Sequence, residues 1–293
     1  MRLLVLGKNG QVGWELQRSL APLGDVIALG REEADLENAA QLRDAVAAAA
    51  PDVIVNAAAY TAVDKAESEP ARADRINHQA VADLAEIAAD TGALLVHYST
   101  DYVFDGRKAG PYVETDVTAP LGVYGRTKLA GEAAIAASGA RHLTFRTSWV
   151  HAGRGANFIR TMLRLAAERD SLRVVADQTG APTSAALIAE ITAQAITANL
   201  ASGTYHLTAS GETSWHGLAQ FAIAEALAAG VPLKAKPDAV IPITTADYPT
   251  PAARPANSRL DTGRLRVAMG ITLPDWRDGA RQTISQLIER QAA

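Results

Sequence analysis

An α/β fold, a doubly wound parallel sheet joined to a smaller α/β lobe, is what this sequence predicts, and three observations carry that prediction. Short continuous apolar runs recur through the first half, alanine-rich stretches of helical spacing separate them, and the first run opens into a glycine-rich turn. Continuous rather than alternating runs mark strands buried on both faces, and parallel neighbours need crossover connections, usually helices.

The first apolar run covers residues 3–6, and the others cover 26–29, 53–55, 94–96 and 143–145. Between them, residues 12–20, 39–50, 73–89 and 129–137 carry helical spacing. Beyond residue 150 the alternation loosens. Helices are expected over 157–168, 184–198 and 215–228, strands near 173–175 and 204–207, an extended loop over the proline-rich 237–255, and a last helix over 277–289. We therefore expect a dinucleotide-binding domain over 1–150 and a mainly substrate-binding lobe over 151–293, with segments 176–203 and 238–260 as candidates to return to the first domain.

Composition excludes several classes. There is no cysteine among the 293 residues, which removes disulfides, thiolate nucleophiles and cysteine-bound metals and fits a reducing, cytoplasmic setting. A net charge of −4 provides no positive field for nucleic acid. The opening apolar run is too short for a signal peptide, and other apolar stretches are interrupted well before a membrane span, so neither export nor a membrane partner is expected. The six histidines, His78, His97, His142, His151, His206 and His216, show no ligand spacing and read as packed or surface residues; no metal is expected.

The chemistry should lie where strands end. Gly7-Lys8-Asn9-Gly10-Gln11-Val12-Gly13 follows the first strand and opens a helix. Glycines allow close backbone approach there, and the helix start supplies free N–H groups for a diphosphate, so a Rossmann-like dinucleotide site is expected. The second strand ends in Leu29-Gly30-Arg31, where many such folds place an acid for a ribose hydroxyl. A guanidinium suits a 2′-phosphate, favouring NADPH with NADH as the alternative, although Arg31 also reads as a solvated loop charge beside Glu32. Asp35 and Leu36 are placed nearer adenine. The third strand runs into Asn56-Ala57-Ala58-Ala59-Tyr60, and the fourth ends in Tyr98-Ser99-Thr100-Asp101-Tyr102, a cluster of hydroxyls.

Tyr124 and Lys128 stand four residues apart at the opening of a helix, so both reach one face. A phenol with an ordinary pKa near 10 becomes a useful acid–base group when a cation favours its ionised form, which Lys128 is placed to do. Tyr-x-x-x-Lys arises by chance about 0.14 times in a chain of this composition; joined to the glycine motif it falls to about 0.02.

Together with Val53 to Asp64, His97 to Phe104, Phe145-Arg146-Thr147-Ser148-Trp149 and Arg254-Pro255-Ala256-Asn257-Ser258-Arg259-Leu260, these motifs resemble the extended short-chain dehydrogenase/reductase family, and within it the reductases of dTDP-4-keto-6-deoxyhexoses. The likeness spans nearly the whole chain. It implies Thr100, Tyr124 and Lys128 as the catalytic set, with hydride delivered to sugar C4 and Tyr124 protonating the new alkoxide to give dTDP-L-rhamnose. It implies that Gly7, Gly10, Gln11, Val12, Arg31, Asp35, Leu36, Ala59, Tyr60, Thr61, Tyr98, Tyr124 and Lys128 meet the cofactor. Thr100, Asp101, Trp149, Arg254, Asn257 and Arg259 would meet the nucleotide-sugar substrate. Arg154, Arg160, Arg254 and Arg259 are the candidates for its diphosphate.

Some family members are described as dimers joined through a divalent metal. Glu15 matches that ligand pattern, but Ala186 and Gln286 occupy other ligand positions, so a monomer or a homodimer without metal is expected. Two other readings share the motifs. A nucleotide-sugar epimerase or dehydratase shares the glycine loop and the Tyr–Lys pair, though Thr100-Asp101 lacks the glutamate a dehydratase would want. A non-catalytic partner, like the regulatory subunit of methionine adenosyltransferase, would show damage to the catalytic set, which is intact here.

Overall fold

The computed structural model describes residues 1–292. The chain opens with β1 (Arg2–Leu6), α1 (Gln11–Leu20), β2 (Asp25–Leu29), α2 (Ala39–Ala49) and β3 (Val53–Asn56). Two short helices, α3 (Val63–Ala66) and α4 (Pro70–Asp74), precede α5 (Ala80–Thr91), β4 (Leu94–Thr100), α6 (Val123–Ala137) and β5 (His142–Thr147). The next elements are β6 (Val150–His151), α7 (Phe158–Glu168), β7 (Leu172–Val175), β8 (Thr179–Gly180), β9 (Thr183–Ser184), α8 (Ala185–Thr197) and β10 (Gly203–His206). The last are β11 (Thr213–Ser214), α9 (Trp215–Ala228), β12 (Val240–Ile243), α10 (Gly263–Met269) and α11 (Trp276–Ala292).

Six parallel strands form the main sheet in the order β10-β5-β4-β3-β1-β2. The chain winds outward from β1 to β2, then returns to β3 on the other side. That reversal opens a crevice between the ends of β1 and β3, the standard ligand position in such sheets. Each central strand serves two cores. In β1, Leu3 and Val5 join a cluster that includes Leu16 of α1 and Ile188 of α8, while Leu4 and Leu6 join Leu42 of α2 and Leu84 of α5. Full burial stabilises each such side chain by roughly 1.5–3 kcal/mol, which explains the unbroken apolar runs. The first cluster continues into Leu172, Leu218 and Trp276, so the later elements share one core with the sheet.

Several elements differ from the expectations. The stretch expected as one helix over 73–89 breaks, with a π turn at Arg75–Gln79 ahead of α5. Its buried Asn77 bonds the Tyr60 backbone in both directions and the Thr127 hydroxyl. Helix α6 begins at Val123, six residues before its apolar spacing starts, and the Glu67 carboxylate accepts its first N–H at 2.7 Å. The proline-rich stretch is not wholly a loop, because Val240–Ile243 pairs in parallel with β7 while Val240 and Ile243 are buried. Pro242 is tolerated there because that two-stranded ladder leaves one side of each strand unpaired.

Candidate active site

A cleft of about 750 Å³ lies over the β1/β3 crevice and runs along the ends of β4 and β5. Its volume falls in the ordinary range for small-molecule sites. The glycine loop forms one end. Gly7 holds φ +87°, and a Cβ there would meet the Ala58 nitrogen at 2.9 Å; a Cβ on Gly13 would meet the Gly7 carbonyl oxygen at 2.1 Å. The turn thus tolerates no side chain at either point. Helices α2, α7, α8 and α9 each begin under a side-chain cap, whereas α1 follows Gly10 with none. Its first N–H groups therefore face the cleft without a side-chain acceptor, as an anion site requires.

Gly7, Gly10, Gln11, Val12, Arg31, Asp35, Leu36, Ala59, Thr61, Tyr98, Thr100, Asp101, Tyr124, Lys128 and Trp149 all line this one cleft. The structure does not bring the other expected residues to its wall. Tyr60 is buried, with its hydroxyl donating to Glu69 at 2.9 Å. The Asn257 amide donates to the Lys108 and Gly110 carbonyls, while Arg259 bonds Glu212, Asn257 and the Ala109 carbonyl. Those two residues tie loops together. Arg254 pairs with Asp64 at 2.7 Å and reaches the Tyr102 hydroxyl at 3.4 Å, so it stands one residue behind the wall. Arg154 stacks on Trp14 and Arg160 reaches the Gly153 carbonyl, both away from the cleft lining.

The acidic and basic groups are arranged by burial. Tyr102 packs edge-on against Tyr124. The Tyr124 phenol is pushed above its usual range by burial; the Thr100 hydroxyl offsets part of this, and Asp101 and Tyr102 add to it. Lys128 bonds groups of β4 and makes no hydrogen bond to the Tyr124 hydroxyl. The Lys128 amine instead donates to the Tyr98 carbonyl at 2.6 Å and lies 3.0 Å from His97 Nε2. Burial pushes it down to about 8, while the Glu132 carboxylate pulls it back up. Glu132 is itself held by Arg146, with guanidinium nitrogens at 2.6–3.1 Å.

Asp101 is pushed up to about 6 by burial, with Ser258 and Thr100 offsetting part of the rise. Its Oδ1 accepts from Thr100 at 3.0 Å, but its Oδ2 is buried without a hydrogen-bond partner. Ser99 Oγ and Thr147 Oγ1, which belong to the same cleft, are likewise unpartnered. Buried polar atoms are normally satisfied, so three unpartnered ones on residues that line one cleft fit polar ligand recognition. Trp149 forms the far wall with φ +50°, unusual for a bulky residue, and stacks on Trp215 with ring centroids 3.6 Å apart. Sequence reasoning missed His97, Asn56 and Trp215. A histidine inside a continuous apolar strand run was the available signal, because an ionisable group there needs dedicated partners.

Comparison with known proteins bears on the same residues. A family model, the RmlD substrate binding domain, matches residues 1–289. The chain belongs to the dTDP-4-dehydrorhamnose reductase family. It is 51% identical over 300 residues to a dTDP-4-dehydrorhamnose reductase of Burkholderia thailandensis, covering 99% of this chain and 100% of that one. It is 50% identical to the enzyme of that name from Escherichia coli K12, with all of both chains covered. A crystal structure of the Bacillus anthracis reductase in complex with NADP superposes with a TM-score of 0.91 at 34% identity, covering 97% of this chain and 99% of that one. Membership in this reductase family fits a cleft with a phosphate-binding turn at one end and a buried phenol, hydroxyl and amine at the other.

Proposed function

We propose that this chain carries out the reaction of its family, the NAD(P)H-dependent reduction of dTDP-4-dehydro-L-rhamnose to dTDP-L-rhamnose, with the roles of individual residues as follows. The observation that carries the assignment is the meeting, in one cleft, of an uncapped helix start at the glycine loop with Thr100, Tyr124 and Lys128 at the strand ends.

The cleft fits a dinucleotide. The α1 N–H groups with Gly7, Gly10, Gln11 and Val12 would hold its diphosphate, Arg31, Asp35 and Leu36 its adenosine end, and Ala59, Thr61 and Tyr98 its middle. Bound there, NADPH supplies a hydride equivalent. Lys128, fixed at the Tyr98 carbonyl, is placed to hold the nicotinamide ribose. Tyr124 is the proton donor: a phenol raised by burial stays protonated at neutral pH, which is what a reduction asks of its acid. Thr100 hydrogen-bonds the developing oxyanion at C4. The unpartnered Asp101 Oδ2 accepts from a hydroxyl of the deoxysugar, and Trp149 packs on the ring. Tyr60, Asn257 and Arg259 act behind these contacts, with Arg254 nearest the cleft.

We place the enzyme in the cytoplasm, acting on a small nucleotide sugar as a monomer or homodimer; among the described residues no helix is long and apolar enough to cross a membrane. The deciding experiment supplies dTDP-4-keto-6-deoxy-L-mannose enzymatically and follows NADPH absorbance. Consumption of NADPH with formation of the L-rhamno product supports the reading. Isomerised substrate without net NADPH loss would show an epimerase, and no reaction a binding protein.

A further inference from the structure

Helix α6 carries Tyr124 in its first turn and Lys128 in its second, and the two are anchored differently. Lys128 is tied to β4 through the Tyr98 carbonyl and His97. Tyr124 depends on the first turn, which follows Gly122, a residue in extended backbone with no side chain to accept an N–H. The free N–H groups of a helix start call for such an acceptor. Here it comes from outside the helix, because Glu67, 56 residues earlier, accepts the Val123 N–H at 2.7 Å.

Both sides of this contact are shaped for it. A Cβ at Gly122 would stand 2.5 Å from Glu67 Oε1, so the glycine leaves room for the carboxylate. Its negative charge also meets the positive end of the α6 dipole. Glu67 directly follows α3, whose Ala66 is fully buried in a cluster with Tyr60, Ala73 and Val123, and Tyr124 packs against that cluster. Asp64, three residues before Glu67, bonds Arg254, which reaches the hydroxyl of Tyr102, the ring standing edge-on to Tyr124. One short helix thus holds the turn of Tyr124 through one carboxylate and the neighbour of its ring through another. The same segment continues directly from Ala59 and Thr61, and Val63 itself lines the cleft.

We propose that Glu67 is a positioning residue for the proton donor: by capping α6, its carboxylate sets where Tyr124 stands relative to the cofactor-facing wall at Ala59 to Val63. What Tyr124 does rests on the reductase reading; how it is held does not. Helix α6 runs for 15 residues, so losing one acceptor at its start loosens the first turn rather than the helix. The next turn is fixed independently, with the Asn77 amide donating to the Thr127 hydroxyl and Lys128 tied to β4. Proton transfer needs the phenol within hydrogen-bond reach of the new alkoxide, and a misplacement near 1 Å lowers rates by up to about 10²-fold. Cofactor binding draws on the glycine loop and Lys128, which the cap does not touch.

The test compares Glu67→Ala, which removes the acceptor, with Glu67→Gln, which keeps it. In the whole protein, Glu67→Ala should lower kcat by about tenfold or more, while the nucleotide-sugar KM and NADPH affinity by fluorescence titration stay within about threefold. Glu67→Gln should bring kcat back to within about threefold of wild type. A Glu67→Ala kcat within about threefold of wild type, a matching loss of NADPH affinity, or a Gln variant as impaired as the Ala variant overturns the proposal. A second readout needs no turnover, so it separates this proposal from the reductase reading. In protein without cofactor, NMR hydrogen exchange at the Val123 and Arg126 amides, the latter bonded to the Gly122 carbonyl, should quicken by about tenfold in Glu67→Ala, with amides from Lys128 onward unchanged. Exchange unaltered at those two amides, or quickened along the whole helix, overturns the proposal even where the ketosugar is not turned over. Should Glu67→Ala fail to fold, Glu67→Asp, whose carboxylate ends one carbon short of Val123, is held to the same outcomes.

Discussion

Gly180→Ala probes the far wall of the cleft without touching a proposed catalytic group. A Cβ at Gly180 would stand 2.6 Å from Trp149 Cε2 and 3.0 Å from Cδ2 and Cζ2, so it would press directly on the indole. Restoring an ordinary contact of 3.4 Å from 2.6 Å needs a displacement of about 0.8 Å. The ring has little freedom to move. Trp215 stacks on it, Trp215 Nε1 donates to Gln178 at 3.1 Å, and Phe158 packs against Trp215 with centroids 4.6 Å apart. Overpacking of this kind costs about 1–3 kcal/mol, and a misplacement near 1 Å at a substrate contact lowers rates by up to about 10²-fold. We therefore expect kcat/KM for the nucleotide sugar to fall by about 10–100-fold, or about 1.4–2.7 kcal/mol. NADPH affinity, measured by fluorescence titration, should stay within about twofold because the glycine loop lies at the other end of the cleft. A folded variant with kcat/KM within about threefold of wild type would refute both the proposed sugar contact of Trp149 and the rigidity of its stack.

Other substitutions separate the remaining roles. Tyr124→Phe removes the proton donor while keeping the ring, so kcat should fall by about 10²–10⁴-fold with NADPH affinity nearly unchanged; an unaltered rate would move the acid elsewhere. Arg31→Ala should reduce the preference for NADPH over NADH by about tenfold or more, and an unchanged ratio of the two kcat/KM values would remove Arg31 from the 2′-phosphate site. Asp101 has a pKa raised to about 6 from 3.8, so in the folded state it releases its proton later than in the unfolded chain. Below pH 3.8 the contribution is fully favourable, and it is lost as pH climbs to about 6, a swing of about 3 kcal/mol. Urea denaturation of wild type and Asp101→Asn should therefore show the wild type losing stability relative to the variant between those pH values; parallel curves would contradict the burial of this carboxylate.

Much of this was legible in the sequence because it rests on local rules. Leu3 to Leu6 are buried on both faces, so the run is continuous and announces a central strand. Gly7 and Gly13 stand where backbone meets backbone, and four-residue spacing puts Tyr124 and Lys128 on one face whatever surrounds them. What was not legible depends on residues distant in sequence. The Glu67 cap on α6, the pairing of Val240–Ile243 with β7 and the looping of Asn257 onto Lys108 and Gly110 join segments 56 to 149 residues apart. The fate of Lys128 was hidden for the same reason. Its spacing to Tyr124 suggested a cation tuning a phenol, whereas its amine meets partners from β4, and only the folded sheet brings those to it.

The arginines show the same limit and also what it means for binding an anionic cofactor and substrate. Arg31 pairs with Asp35 and Glu37, Lys8 with Glu33, and Arg254 with Asp64. A chain of net charge −4 thus keeps these cations near the cleft neutralised by carboxylates of its own. Exposed pairs of this kind contribute at most about 1 kcal/mol, so an incoming phosphate can exchange for the carboxylate at small cost. Glu37 also bonds Arg72, so release of Arg31 leaves that carboxylate partnered. On the proposed reading, the fixed part of anion recognition would be the uncapped start of α1, and Arg31 would add discrimination between phosphorylated and unphosphorylated riboses rather than bulk attraction. It follows that raising salt should weaken NADPH more than NADH, because the contact that distinguishes them is the exposed one. Fluorescence titration of both cofactors across a salt series checks this, and equal slopes would place the discriminating contact out of reach of solvent ions.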